Sequence, residues 1–102
     1  MFRTDEQGNL FIFADNSGAI TLRGLPPKKG TLVIVFNGYN EVQKTLPFNG
    51  ENQVVINVSN EEIRKIGVGR HFWYVDIISA EGNEKDTIVY KTITILNKDE
   101  VW

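Results

Sequence analysis

The chain has 102 residues, 41% hydrophobic and 24% charged, which is the size and composition of one globular domain and not of a disordered chain. Its net charge is −2 and its densest basic spot is Lys28-Lys29, so it lacks the clustered cations that nucleic-acid binding requires. It has no cysteine, which excludes disulfides, thiolate metal sites and a thiol nucleophile.

The N-terminal MFRTDEQGN is polar and does not read as a signal peptide, and no apolar run approaches the ~20 residues that span a bilayer. The expectation is synthesis in the cytoplasm without an export signal, and no membrane partner. Leu10–Ala14 is the first predicted strand. Asp15-Asn16-Ser17-Gly18 follows as a turn, with Asp and Asn bonding to their own backbone and Gly supplying positive φ. Ala19–Arg23 alternates, with Ile20 and Leu22 on one side. Gly24–Gly30 holds Pro26 and Pro27, which lack the N–H a ladder needs, and reads as a loop.

Thr31–Phe36 is apolar on both faces, which suits a central strand or one with an interface on its outer side. Asn37–Asn40 signals a hairpin turn. Glu41–Leu46 alternates, Pro47–Glu51 reads as another turn, and Gln53–Val58 places Val54, Ile56 and Val58 on one face. Ser59-Asn60-Glu61-Glu62 has capping-box spacing and predicts a short helix near Asn60–Ile66, closed by Gly67 or Gly69 and packed through Ile63 and Ile66. Arg70–Ser79 and Thr87–Leu96 flank Ala80-Glu81-Gly82-Asn83 and predict a hairpin. Asn97–Trp102 breaks the alternation, as a frayed end or the start of a linker.

Seven or so short strands with turns every 8–12 residues predict an all-β sandwich or barrel, one domain over residues 1–102. The expected core is Leu10, Ile12, Ile20, Leu22, Leu32, Ile34, Phe36, Val54, Ile56, Val58, Ile63, Trp73, Val75, Ile77, Val89, Ile93 and Ile95.

The candidate chemistry is sparse. His71 is the lone histidine and reads as a strand-edge residue packing its ring. Asp76 shares a strand face with Phe72, Tyr74 and Ile78, and is expected on the more solvated side. Glycoside hydrolysis would need a second carboxyl beside it, and Glu41, Glu51, Glu81 and Glu84 all fall in or near turns. Asp5, Asp15 and Asn16 lack calcium-loop spacing, and the glycines form neither a dinucleotide fingerprint nor a phosphate loop. No catalytic residue, metal site or cofactor is expected, and the chain does not read as an enzyme. Phe72, Trp73 and Tyr74 are consecutive and cannot all point inward. With Trp73 inside, Phe72, Tyr74 and Tyr90 form an exposed strip for protein or, as an alternative, carbohydrate; the reverse orientation stays open.

Ile20–Leu25, the strand Leu32–Phe36, the segment Val54–Val58 leading into a helical turn, Gly69–Ile77, the turn Glu81-Gly82-Asn83 and a closing strand with Ile93 and Ile95 together resemble a known pattern. It is similar to the small immunoglobulin-like domains at the N-terminus of phage baseplate upper proteins and related prophage tail proteins. His71 stands where that family commonly has an aromatic, and Lys91 where it commonly has a glycine. The resemblance implies an immunoglobulin-like antiparallel β-sandwich of about seven strands with no catalytic residues. It implies a virion-associated assembly module whose partners are other tail or baseplate subunits, or itself, with the whole chain as the N-terminal module of a longer protein. A ligand-binding β-sandwich module of a surface protein or enzyme is the alternative.

Overall fold

The computed structural model describes residues 1–98. They form an all-β fold with one short helix: β1 Arg3–Thr4, β2 Leu10–Phe13, β3 Gly18–Arg23, β4 Lys29–Asn37, β5 Glu41–Asn49, β6 Gln53–Val58, α1 Asn60–Ile66, β7 Gly69–Ser79 and β8 Lys85–Leu96. The tail reading at Asn97–Trp102 lies outside the described residues from position 99 onward.

Six strands form one sheet in the order β1-β2-β8-β7-β4-β5, and β3 pairs with β6 in a second. Pairings are antiparallel except β2 with β8, where Leu10–Phe13 runs parallel to Ile93–Leu96. Parallel neighbours need a long crossover, and here the whole intervening chain supplies it.

Alternation sorts the side chains. Ile20, Leu22, Ile56 and Val58 from the small sheet meet Leu32, Ile34, Phe36, Trp73, Val75, Ile77, Ile93 and Ile95 from the large one in a single buried cluster. Ile63 and Ile66 of α1 join it, and Phe36 stacks on Trp73 with centroids 5.6 Å apart. Of the expected core, Val54 and Val89 are only partly buried, while Val42, Phe48, Ile66 and Val35 are buried in addition.

The helix starts as its sequence requires. Ser59 Oγ accepts from the Glu62 N–H, and Glu62 Oε1 accepts from the Ser59 N–H. Its far end is closed by the β4–β5 loop. The Tyr39 N–H donates to the Ile66 carbonyl, and the Asn40 N–H and side-chain amide donate to that of Lys65. These bonds satisfy carbonyls that a helix end leaves without partners. Gly38 makes the approach possible, since a Cβ there would lie 2.4 Å from the Ile66 carbonyl oxygen.

Several details differ from the sequence reading. Lys29 and Gly30 belong to β4 and not to the preceding loop. Pro47 and Phe48 belong to β5, not to a turn; β5 is an edge strand, where a proline is tolerated. In the turn after β2, Asp15 carries the positive φ (66°) and Gly18 does not. Aspartate tolerates that region because its short polar side chain bonds locally.

Candidate functional site

The long β7–β8 hairpin presents its inner residues to the core and its outer ones to solvent. Trp73, Val75 and Ile77 point inward, which settles the orientation of this strand. Phe72, Tyr74 and Tyr90 therefore share the outer face. Tyr74 sits directly opposite Tyr90 in the β7–β8 register. Their rings are 6.1 Å apart and nearly parallel at 11°, and Phe72 lies 5.8 Å from Tyr90 at 38°. Phe72 is 51% exposed and Tyr90 62%, while Tyr74 between them is half-buried.

The sheet continues this face. Val35 pairs with Tyr74 and Thr92 with Phe72. Val35 is buried yet lies outside the inner cluster, as expected for a residue alternating with the inward Ile34 and Phe36. Thr92 is buried too, and its N–H donates to Asn9 Oδ1 at 3.1 Å. The outer face thus has an aromatic strip bordered by a buried valine and a buried threonine. The consecutive aromatics Phe72-Trp73-Tyr74 signalled the strip in the sequence, and the two-sided apolar run at Thr31–Phe36 signalled its β4 border.

Asp76 lies on the outer face with Phe72 and Tyr74, as expected, but it is buried there at 5% exposure. Its register neighbours are Val33 on β4 and Thr87 on β8, and Thr87 Oγ1 donates to its Oδ1 at 2.6 Å. A β-bulge between Val75 and Asp76 leaves Ile88 without an opposite number and shifts Thr87 to Asp76. Glu41, Glu51, Glu81 and Glu84 are all exposed. His71 packs edge-on against Tyr39 with centroids 5.1 Å apart, and its Nε2 lies 2.9 Å from the Gly67 carbonyl oxygen. That oxygen can only accept, so Nε2 carries the proton. Among the described residues no group of three or more His, Cys, Asp and Glu side chains is placed to hold a metal ion.

Two clefts lie away from the aromatic strip. The larger, about 600 Å³, includes Lys44, Ser59 and Glu62 in its walls. Its charges are committed to each other, with Lys44 Nζ 3.0 Å from both Glu62 oxygens. Burial pushes the Glu62 carboxyl up, but the Ser59 N–H and the Lys44 ammonium outweigh it and hold the group below its ordinary value of 4.5. A lowered folded pKa means this stabilisation is complete above about pH 4.5 and is lost as pH falls through the folded value. Glu62→Gln is expected to flatten the loss of stability below pH 4.5 in urea titrations. Identical pH slopes for the two proteins would refute this.

The second cleft, about 350 Å³, is walled by β3, the N-terminal segment and Trp73. Trp73 Nε1 is buried and has no hydrogen-bond acceptor among the described residues. An unmade bond of that kind costs about 1–3 kcal/mol. No helix among the described residues is long and apolar enough to cross a membrane. No protein-family model matches the chain, and neither a curated protein nor a solved structure is detectably similar to it.

Proposed function

We propose that this chain is a non-enzymatic structural module that binds protein through the outer face of β7 and β8. The observation that carries the reading is the contiguity of Phe72, Tyr74 and Tyr90, with Phe72 and Tyr90 more than half exposed. Single exposed aromatics are ordinary on a protein surface; three in ring contact on a rigid sheet are the anchors that protein interfaces favour. Anchors on paired strands lose little conformational entropy on binding, because the register already holds them.

The immunoglobulin-like sandwich belongs to the same proposal. Its support is the strand order: β8-β7-β4-β5 in one sheet and β3-β6 in the other follow the G-F-C-C′ and B-E arrangement of that fold. The resemblance to baseplate-type domains supports a phage or prophage tail assembly as the setting, with neighbouring subunits or a second copy as partner. The near-parallel Tyr74 and Tyr90 rings favour one second reading, a sugar-stacking platform.

Tyr90→Ala is expected to weaken self-association or partner binding at least about tenfold while lowering folding stability by about 1 kcal/mol or less. Tyr74→Ala is likewise expected to affect association more than folding. Sedimentation velocity over a concentration series checks both. Association equal to that of the parent would remove this face from the reading. A glycan-array signal abolished by Tyr74→Ala would transfer it to carbohydrate.

A further inference from the structure

The small sheet leaves β3 with one neighbour, β6. About half of its backbone N–H and C=O groups consequently face an edge that carries no strand. The five consecutive residues Ala19–Arg23 all line the cleft that Trp73 helps to wall. Side chains alternate between the two faces of a strand, so a cleft touching one face would meet every second residue. A cleft lined by five in a row meets the strand edge-on. Its opposite wall includes Phe2 and Thr4, and Leu10 and Trp73 contribute core side chains to it. The lining contains Arg23 and Lys91 and no acidic residue, and neither cation makes an ion pair among the described residues.

We propose that this cleft receives an extended acidic segment of another protein chain, added to the free edge of β3 as a further strand. The main chain of the segment would take up the unpaired N–H and C=O groups of β3, the source of affinity in strand addition. Acidic side chains would face Arg23 and Lys91, and an apolar side chain between them would reach the wall formed by Leu10 and Trp73. That wall holds the indole N–H that lacks an acceptor among the described residues. The surface is separate from the aromatic strip, and the inference does not depend on the function proposed for that strip.

The test uses the full chain and a fluorescein-labelled, end-blocked peptide, Glu-Val-Glu-Val-Glu-Val, followed by fluorescence anisotropy. Saturable binding is expected. Replacing the central valine of the peptide and the glutamate before it by proline removes two consecutive N–H donors, one of which must face β3, and should weaken binding at least tenfold. The Arg23→Gln/Lys91→Gln protein should show a comparable loss, and circular dichroism can confirm that it stays folded, since both side chains are exposed. Phe72→Ala should leave peptide affinity unchanged, which separates this site from the aromatic strip. Equal binding of the proline peptide would overturn main-chain pairing. So would absence of peptide binding, including the case in which the small apolar anion anilinonaphthalene sulfonate binds in an Arg23- and Lys91-dependent manner.

Discussion

Phe48→Ala is expected to cost about 3–5 kcal/mol of folding stability, the range found when a fully buried phenylalanine is truncated. Phe48 is 1% exposed and belongs to the same cluster as Val42, Leu32 and Ile34. It lies near the end of the edge strand β5, opposite Gly30 of β4, so no large neighbour in its own row can move in to fill the space. A domain of this length has roughly 5–15 kcal/mol of stability in total, so the variant should lose a large share of it. Pro47→Ala, one position away on the exposed outer face, serves as the control and should change stability by about 1 kcal/mol or less. Denaturant titrations of both variants check the contrast. A cost below about 1 kcal/mol for Phe48→Ala would mean that the end of β5 does not seal the core.

That residue also shows where the sequence is readable and where it is not. Pro47-Phe48-Asn49-Gly50 has the composition of a turn, and a proline ordinarily ends a ladder. The alternation of Val42, Leu46 and Phe48 continues through it because β5 is an edge strand, but edge position is a property of the sheet order and not of the local sequence. Strands with a strong period of two, such as Gln53–Val58, were legible throughout. So was the helix at Asn60–Ile66, because the Ser59 and Glu62 side chains bond to each other's backbone within four residues. The parallel pairing of β2 with β8 was not legible, since it joins segments about eighty residues apart and leaves no short-range mark.

The aromatic strip was partly legible for the same reason. Consecutive Phe72-Trp73-Tyr74 must divide between two faces, and the apolar lining of the core takes Trp73. Tyr90 joins the other two through register, which the hairpin turn sets: the Ser79 N–H donates to the Glu84 carbonyl and the Gly82 N–H to that of Ser79. The contribution of Val35 comes from β4, on the far side of β7 from β8, and needed the sheet order. The cleft beside β3 had no sequence signal. It depends on which strand is absent from an edge, and alternation within β3 is the same whether its outer edge is paired or free.

The β-bulge beside Asp76 yields the second large effect. Thr87→Val keeps the shape of the side chain and removes the hydroxyl that donates to the buried Asp76 carboxyl. Hydrogen bonds to carboxylates are worth about 1.5–3 kcal/mol, and a buried polar group left without its donor bears its full desolvation cost. Thr87→Val is therefore expected to destabilise the fold by about 2–3 kcal/mol near neutral pH. Removing both partners should be far milder, because an apolar pair of similar size leaves nothing unsatisfied. Asp76→Val/Thr87→Val would place a valine opposite Val33 across the β4–β7 register, a pairing that suits adjacent strands. The double variant should recover at least half of the loss caused by Thr87→Val. A double variant less stable than Thr87→Val alone would contradict this account. It would mean that Asp76 has a stabilising partner besides Thr87, and that the bulge exists to serve that partner.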